Sequence, residues 1–259
     1  MALEELFDLS GRNAIVTGGG SGLGRHFAEG LAEAGSNVVL CARDAARCDL
    51  AADELRRAHG VTALGVQCDV REPESIRAVV DRTKDELGSI DILVNNAGTS
   101  WGAPVTEYPL EGWRKVIDVN LTGSFIFAQT VGREMIAQGR GGKIVNIASV
   151  AAFRSAPPEV MDAVAYNTSK GGVVSLTRDL AAKWARFDIT VNAIAPGWFP
   201  TEMSEVLLER SGDVFLERIP LRRFGAADDL KGAIVFLTSP ASNYVTGHTL
   251  VIDGGQSIS

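Results

Sequence analysis

The feature that most constrains the fold is a glycine-rich turn near the start of the chain. Residues 17–24 read Thr-Gly-Gly-Gly-Ser-Gly-Leu-Gly and follow a predicted strand at 13–16. Leu23, Phe27 and Leu31 then recur at helical spacing. A strand, such a turn and a helix together form the first unit of dinucleotide-binding folds, in which the helix N-terminus receives a pyrophosphate. A flexible loop is the alternative. No lysine follows the glycines, which disfavours a site for a nucleoside triphosphate.

The rest of the chain repeats this alternation of strands and helices. Further strands are predicted at 38–40, before Asp69, and at 92–94, 143–147, 190–194 and 251–252. Helices are predicted up to Gly60, from Pro73 onward, at 161–187 and near 228–237. The alternation predicts an α/β fold: a single doubly wound Rossmann domain over residues 1–259, with a mainly parallel seven-stranded sheet and helices on both faces.

The composition excludes several classes of protein. The chain has 25 Lys+Arg and 32 Asp+Glu, a net charge of −7, whereas nucleic-acid binders need a basic surface. No long uncharged apolar run predicts a membrane helix. Cys41, Cys48 and Cys68 lack the CxxC spacing of metal sites, and no metal is predicted. Because the first residues are acidic, unlike a signal peptide, we expect a cytoplasmic protein without nucleic-acid or membrane partners.

The end of the second predicted strand indicates which dinucleotide binds. In NAD-binding folds, an acidic residue about twenty positions after the glycines holds the ribose 2′-hydroxyl. Ala42 and Arg43 stand there instead, and a guanidinium is suited to a 2′-phosphate. We therefore expect NADP(H) to be preferred, with NAD(H) as the alternative cofactor. The simpler interpretation is a solvated strand end, with Asp44 partly cancelling the charge of Arg43.

A tyrosine and a lysine four positions apart indicate catalysis. Tyr166 and Lys170 lie in a predicted helix, so their side chains share one face. A free tyrosine titrates at about 10, and a nearby cation should lower that pKa enough for proton exchange with a carbonyl or alcohol oxygen. Ser149 follows the fifth predicted strand, at the edge where such sheets bind ligands. The simpler interpretations are a surface pair, a helix cap at Ser149 and a satisfied polar group at Asn120.

Together these motifs resemble the short-chain dehydrogenase/reductase family over nearly the whole chain. The matching residues are Thr17-Gly-x-x-x-Gly-x-Gly24, Asp69, Asn95-Asn96-Ala97-Gly98, Asn120, Ser149, Tyr166-x-x-x-Lys170, Pro196-Gly197 with Thr201, and Ile252-Asp-Gly-Gly255. Within the family, residues 95–102 resemble the reductases of 3-oxoacyl thioesters, while sugar-acid and polyol dehydrogenases share the same framework.

The resemblance implies roles for the matching residues. The catalytic residues would be Asn120, Ser149, Tyr166 and Lys170. Tyr166 would act as general acid/base, and Lys170 would lower its pKa and hold the nicotinamide ribose. Ser149 would orient the carbonyl, and Asn120 would fix a water that joins Lys170 to solvent.

The resemblance also implies a set of residues that bind the cofactor. These are Gly18, Ser21, Gly22, Leu23, Gly24, Arg43, Asp69, Val70, Asn96, Ala97, Gly98, Tyr166, Lys170, Pro196, Gly197, Phe199 and Thr201. Asp69 and Val70 would contact adenine, and Asn96 would lie on the adenosine ribose side. Phe199 and Thr201 would meet the nicotinamide carboxamide.

The implied reaction is the NADP(H)-dependent reduction of a ketone, such as a 3-oxoacyl thioester, to a secondary alcohol. This would make the protein a carbonyl reductase with a small-molecule carbonyl or alcohol as substrate. The alternative is an NAD-dependent dehydrogenase that oxidises a sugar acid, polyol or cyclic alcohol. A dinucleotide-binding regulator without catalysis is disfavoured, because Ser149, Tyr166 and Lys170 are all present.

Two departures from the family pattern bear on these expectations. Ser21 stands where many NADP-preferring relatives have a basic residue, which weakens the inference from Arg43. Tyr166 follows Ser149 by 17 positions, a longer gap than the family usually has. We expect the extra residues, within 153–161, to bulge beside the mouth of the substrate pocket.

Three segments are expected to line that pocket: residues 99–104, the stretch after Ser149, and residues 198–219. They supply Trp101, Phe153, Trp198, Phe199 and Met203, which otherwise pack against one another. Residues 198–219 are expected to act as a substrate lid, because apolar pairs flank Gly212.

Small residues in the long predicted helix indicate self-association. Ala165, Ser169 and Gly172 form a stripe that allows another helix to approach closely. Because members of the family associate through such helices, we expect a homo-oligomer, either a homotetramer or a dimer.

Overall fold

A computed structural model of the protein describes residues 2–155 and 161–259. The strands in these residues are β1 (Asn13–Thr17), β2 (Asn37–Ala42), β3 (Ala63–Gln67), β4 (Ile92–Asn95), β5 (Gly142–Ile147), β6 (Ile189–Pro196) and β7 (Thr249–Ile252). The α-helices are α1 (Leu3–Phe7), α2 (Gly22–Glu33), α3 (Ala45–His59), α4 (Pro73–Leu87), α5 (Leu110–Ile117), α6 (Gly123–Gln138), α7 (Val164–Trp184), α8 (Glu205–Glu217) and α9 (Asp228–Thr238).

The seven strands form one parallel sheet in the order β3-β2-β1-β4-β5-β6-β7. The chain first builds outward from β1 to β3 and then places β4 on the other side of β1. The loops that leave β1 and β4 therefore diverge and open a crevice at the carboxyl edge of the sheet. This sheet, with helices on both faces, confirms the predicted fold class.

Alternate strand residues supply a separate core on each face of the sheet. In β1, Ile15 belongs to one core, and its neighbours Ala14 and Val16 belong to the other. Helices α2, α3 and α9 cover the Val16 face, and α4, α6 and α7 cover the Ile15 face. Because both faces are buried, the strands read as continuous apolar runs rather than as alternating patterns.

Several helix boundaries follow local turn chemistry, as expected from the sequence. Helix α3 ends at Gly60 and α4 at Gly88, with φ of 70° and 81°, a conformation that L side chains rarely adopt. Pro73 begins α4, where its missing N–H is not needed. The helix expected at 161–187 is shorter: α7 ends at Trp184, and a 3₁₀ turn, Ala185–Phe187, follows. Within 2–155 and 161–259, no helix has both the length and the apolar character needed to cross a bilayer.

Candidate functional site

Two adjoining cavities open at the carboxyl edge of the sheet. The larger, which we call the cleft, has a volume of about 350 Å³ and runs from Gly18 in the glycine-rich turn to Pro196 at the end of β6. The smaller, which we call the side cavity, has a volume of about 180 Å³ and is bordered by α8. Ser149 and Tyr166 line both cavities. The two hydroxyls that were predicted to touch a reacting oxygen therefore stand where the cavities meet.

The glycine-rich turn forms one end of the cleft. Gly18 and Gly22 have φ of 65° and 52°, which lets the backbone turn tightly. A Cβ on Gly18 would lie 2.9 Å from Nδ2 of Asn96. Ser21 is the N-cap of α2, and its side chain makes no capping hydrogen bond in the described chain. The first N–H groups of α2 are thus available to an anion.

Thr17, a residue for which we predicted no role of its own, fixes this turn against β4. Its Oγ1 accepts hydrogen bonds from the N–H groups of Asn96 and Ala97, both at 2.9 Å. The Asn96 amide in turn donates to the carbonyl oxygens of Thr17 at 2.9 Å and Gly18 at 3.3 Å. Asn96 lines the cleft as expected, but these bonds use its amide hydrogens to hold the turn.

Arg43 is exposed and lies beside the glycine-rich turn, at the same end of the cleft as Gly18 and Ser21. Among the residues that the structure describes, its guanidinium has no carboxylate partner. The neighbouring Asp44 is directed elsewhere: it caps α3 by accepting from the N–H of Arg47 at 3.1 Å and forms an ion pair with that side chain. The pairing of Asp44 with Arg47 leaves the Arg43 guanidinium accessible to an anionic group in the cleft.

Asp69 and Val70 line the same part of the cleft. Arg71, which the sequence analysis did not consider, also lines the cleft and binds the Asp69 carboxylate, with its Nε 3.0 Å from Oδ1. This hydrogen-bonded pair lowers the pKa of Asp69 below its ordinary value. The contact of Asp69 with adenine stays a prediction, and Arg71 competes for the same carboxylate.

The structure contradicts one expectation about Tyr166. Burial raises its pKa above the ordinary value, and the nearby Ser149 hydroxyl only partly opposes that increase. Lys170 is not among the causes of this shift, and its Nζ lies 5.6 Å from the centroid of the tyrosine ring. In the chain by itself Tyr166 is therefore a neutral phenol at physiological pH, a state suited to donating a proton.

The ammonium group of Lys170 is held in place by the end of β5. Its Nζ donates a hydrogen bond of 2.7 Å to the carbonyl oxygen of Ile147, at the end of β5. The side chain is buried, and desolvation lowers the pKa of Lys170 to about 8. The lysine lines the cleft and is thus a buried cation within reach of a bound molecule.

Ser149 has a structural contact as well as a position at the junction of the cavities. It is the N-cap of the 3₁₀ turn Val150–Ala152, and its Oγ accepts a hydrogen bond of 3.2 Å from the N–H of Ala151. The simpler interpretation, a helix cap, is thus part of its role. The hydroxyl hydrogen remains available to a ligand oxygen, because in this contact Oγ serves as an acceptor.

Asn120 lies behind the cleft, in a turn of π-helix, Asp118–Thr122, that joins α5 to α6. Its Nδ2 donates to the Thr99 carbonyl at 3.0 Å and to Ser169 Oγ at 2.9 Å, and its Oδ1 accepts from the Thr99 N–H at 2.8 Å. The side chain is a satisfied buried group that fixes the segment after β4. Its part in a water relay stays a prediction.

The segment after β6 separates two of the predicted residues. Pro196, Gly197 and Thr201 line the cleft, whereas Phe199 lines the side cavity. The Phe199 carbonyl accepts a hydrogen bond of 2.8 Å from Ser204 Oγ. The backbone at Phe199 is thus held by another residue of the segment 198–219. The contact of Phe199 with a nicotinamide therefore stays a prediction. The position of the ring, which lines the side cavity and not the cleft, does not favour this contact.

Only some of the residues predicted to line the substrate pocket line one of the two cavities. Trp198 and Met203 line the side cavity, and Trp198 stacks on Phe215 with ring centroids 4.2 Å apart. Trp101 and Phe153 are not among the lining residues of these two cavities, so their part in the pocket stays a prediction. Trp101 packs against Gly112, where a Cβ would lie 2.8 Å from the ring, and Phe153 is 47% exposed.

The predicted bulge at 153–161 is described only in part. Residues 156–160, which include Pro157 and Pro158, lie outside the described residues, so the bulge stays a prediction. On either side of them, Arg154, Ser155 and Met161 line the side cavity.

The stripe of small residues on α7 does not form a free surface. Ala165 and Ser169 are fully buried within the chain, and Ser169 Oγ donates to the Tyr166 carbonyl at 2.7 Å. A Cβ on Gly172 would lie 2.7 Å from a methyl carbon of Leu121. The stripe receives the π-helical turn of its own chain, and association with a second copy through α7 stays a prediction.

Most of the residues predicted to bind a cofactor lie together along the cleft. They are Gly18, Ser21, Gly22, Leu23, Arg43, Asp69, Val70, Asn96, Ala97, Gly98, Tyr166, Lys170, Pro196, Gly197 and Thr201. Gly24 lies behind this wall, where a Cβ would be 2.2 Å from the Gly18 oxygen. Several polar lining residues had no individual role in the sequence analysis. Thr99, Glu202, Arg154 and Arg218 lie within the three segments predicted to line the pocket, whereas Arg71, Lys115 and Gln256 lie outside them. They carry no local motif.

The donors along the cleft fit a phosphorylated dinucleotide. Backbone N–H groups at the start of α2 suit a pyrophosphate, and Arg43 suits a further phosphate on the adenosine ribose. The buried Lys170 suits the hydroxyls of the second ribose next to Tyr166. The chemistry that such a site supports is hydride transfer coupled to proton transfer.

Comparisons with known proteins agree with this arrangement. A family model described as enoyl-(acyl carrier protein) reductase matches residues 18–257. The 2-dehydro-3-deoxy-D-gluconate 5-dehydrogenase of Escherichia coli K12 is 40% identical over 96% of this chain and 96% of its own. A 3-oxoacyl-[acyl-carrier-protein] reductase of Aquifex aeolicus is 38% identical over 96% of this chain and 98% of its own. The crystal structure of a gluconate 5-dehydrogenase from Burkholderia cenocepacia, in complex with NADP and tartrate, is 40% identical with a TM-score of 0.93 and full coverage of both chains.

Proposed function

The chain belongs to the short-chain dehydrogenase/reductase family, and from this premise we propose that it is an NADP(H)-dependent oxidoreductase that reduces a ketone to a secondary alcohol. The observation that carries the proposal is the position of Ser149 and Tyr166, which line both the cleft and the side cavity. A dinucleotide in the cleft and a ketone in the side cavity would meet at these two hydroxyls.

Each catalytic residue has a distinct part in this reaction. When bound, the cofactor supplies hydride to the carbonyl carbon. Tyr166, whose pKa is raised by burial, donates the proton to the carbonyl oxygen as general acid. Ser149 donates a hydrogen bond to the same oxygen and orients it. Lys170, fixed on the Ile147 carbonyl, lines the cleft beside Tyr166 and would hold the hydroxyls of the nicotinamide ribose.

The preference for NADP(H) rests on the end of β2. Arg43 is exposed and lines the cleft, while Asp44 is occupied with Arg47. The related gluconate 5-dehydrogenase binds NADP, and we extend that preference to this chain. Ser21, at the position where a second basic residue would stand, leaves Arg43 as the main recognition group for the 2′-phosphate.

A second candidate is the oxidation of a sugar acid, polyol or cyclic alcohol, with NAD as cofactor. The relative from Escherichia coli, a 2-dehydro-3-deoxy-D-gluconate 5-dehydrogenase, supports it. The same residues serve both directions, because Tyr166 takes up in oxidation the proton that it donates in reduction. The absence of an acidic residue at the end of β2 favours NADP(H) over NAD(H) in either direction.

Substitution of Tyr166 by Phe tests the proposal. We expect turnover of ketones with NADPH, followed by the loss of absorbance at 340 nm, to fall at least about 100-fold because the proton donor is lost. NADPH affinity, measured by fluorescence, should stay nearly unchanged.

Tyr244→Phe is the matched control, since Tyr244 is fully exposed and lines neither cavity. It should behave as the wild type. Comparable turnover in Tyr166→Phe and Tyr244→Phe would remove Tyr166 from the mechanism and with it the proposed function.

Three expectations from the sequence remain proposals. They are a cytoplasmic location, association into a homotetramer or dimer, and movement of residues 198–219 as a lid. Helix α8 in that segment has a non-helical residue at Ser211, where φ is −137°. This break next to Gly212 supports a hinge within the proposed lid.

A further inference from the structure

Two arginines line the side cavity beside the catalytic hydroxyls. Arg154 follows the turn Val150–Ala152, and Arg218 is the C-cap of α8. The other described lining residues of this cavity carry no charge. Since the whole chain has a net charge of −7, the positive lining is a local feature and does not follow from composition.

Both guanidiniums lie partly out of water, in an apolar setting. Arg154 and Arg218 are half-buried, and Trp198 and Phe215 line the same cavity. Arg154 donates from Nη1 to the Gln256 carbonyl, and neither arginine is paired with a carboxylate in the ranges 2–155 and 161–259. Burial of an unpaired cation is unfavourable, so an anion that enters the cavity would be bound strongly.

Gln256 gives an independent indication of a polar ligand. The residue is 7% exposed and lines the side cavity, and its Oε1 is buried without a hydrogen-bond partner in the described part of the chain. Buried amide oxygens ordinarily accept a hydrogen bond. A hydroxyl group on a bound substrate would provide it.

We propose that the side cavity selects ketones that also carry a carboxylate, namely small hydroxylated keto acids, and that Arg154 and Arg218 bind that carboxylate. The inference rests on the proposed function, because it names the class of ketone for the same site. The volume of about 180 Å³ lies below the roughly 300–1,000 Å³ of pockets for drug-sized ligands, which favours a small acid. The phosphates of a thioester carrier are the other source of negative charge, and the experiment separates the two.

The test compares keto acids with neutral counterparts of the same carbon skeleton. The pairs are 5-keto-D-gluconate with L-sorbose and levulinate with methyl levulinate, each assayed with NADPH for kcat and KM. Acetoacetyl-CoA is assayed beside them. We expect the wild type to prefer each acid over its neutral counterpart and over the thioester. In Arg218→Gln that preference should fall about 10- to 100-fold, mainly through KM, because charge-assisted hydrogen bonds are lost.

Arg210→Gln is the matched control, since it removes the same charge from an exposed position on α8 that does not line the cavity. Arg218→Lys should recover part of the preference, since it keeps the charge but not the planar fork. Unchanged NADPH binding verifies that each variant is folded.

Several outcomes would overturn the inference and leave the proposed function intact. They are a preference for both neutral ketones, a preference for acetoacetyl-CoA, or the same acid preference in Arg218→Gln and Arg210→Gln. Absence of turnover with every ketone would instead overturn the proposed function, and the inference with it.

Discussion

Two buried lysines show that the position of an ammonium group in the fold decides whether it can take part in a functional site. Burial lowers the pKa of both Lys170 and Lys143 to about 8. Lys170 lies at the carboxyl edge of the sheet and lines the cleft. Lys143 lies near the start of β5, at the opposite edge, and the charge of Arg12 is the second, smaller cause of its lowered pKa. A perturbed pKa thus marks a functional residue only when topology places it in a site.

Lys143→Met should stabilise the protein without changing its activity. The folded-state pKa of about 8 lies below the ordinary 10.5, so the cost of burying the charge is present in full below pH 8. This cost disappears as the pH rises to about 10.5. We expect the variant to have a higher Tm than the wild type at pH 7, and the difference to shrink between pH 8 and pH 10.

Thermal denaturation at several pH values measures this effect. Lys183→Met is the control, because Lys183 is exposed and paired with Asp179. A stabilisation of Lys143→Met that did not depend on pH would point to better packing and contradict the electrostatic explanation.

At the scale of elements, the site depends on how β1, the glycine-rich turn and α2 are joined to β4. Thr17 and Asn96 link the two strand ends through four hydrogen bonds. Gly24, in the first turn of α2, permits this contact, since its Cα faces the Gly18 carbonyl and the Asn96 amide. The glycine pattern therefore serves both the turn and the packing behind it.

Gly24→Ala should destabilise the turn and weaken cofactor binding. The added Cβ would lie 2.2 Å from the Gly18 oxygen and 2.5 Å from Asn96 Nδ2. Overpacking of this kind costs about 1–3 kcal/mol, and we expect a loss of NADPH affinity together with a lower Tm.

Gly232→Ala, in α9, is the matched control because a Cβ there meets nothing within 4 Å. It should raise stability by about 0.5–1 kcal/mol, the usual gain from replacing glycine within a helix. Equal effects of the two substitutions on NADPH affinity would contradict the packing role of Gly24.

At the scale of the whole molecule, basic residues gather at the cleft although the net charge of the chain is negative. The chain is acidic, yet four basic residues, Arg43, Arg71, Lys115 and Lys170, line the cleft against two acidic ones, Asp69 and Glu202. A cleft lined by positive groups concentrates field lines and attracts an anionic ligand. Binding of such a ligand to the folded state alone stabilises the whole protein, by about 2.7 kcal/mol at a concentration of 100 Kd.

Arg43→Ala should remove the difference between NADPH and NADH in this stabilisation. We expect NADPH affinity to fall about 10- to 100-fold because a charge-assisted contact to the 2′-phosphate is lost, while NADH affinity stays unchanged. The increase in Tm on addition of each cofactor measures the effect. Arg57→Ala, at the exposed far end of α3, is the control. If NADH bound the wild type as tightly as NADPH, the phosphate assignment would fail.

Much of the fold followed from local patterns in the sequence. Apolar runs predicted the strands, Pro73 and Gly60 predicted helix boundaries, and the strand-turn-helix order around Gly18 predicted the dinucleotide fold. These features depend on backbone preferences and on periodicity over a few residues. Because parallel strands all end at one edge of the sheet, residues that follow different strands, such as Ser149 and Asn96, were predicted to lie together.

Only the tertiary structure decided the surroundings of each side chain. It raised the pKa of Tyr166, which the sequence predicted to be lowered, because desolvation depends on everything packed around the ring. It buried Ser169 under its own chain and packed Trp101 against Gly112. It brought Arg154 and Arg218 to one cavity from distant parts of the sequence. Burial and long-range proximity are properties of the folded chain, and no local pattern encodes them.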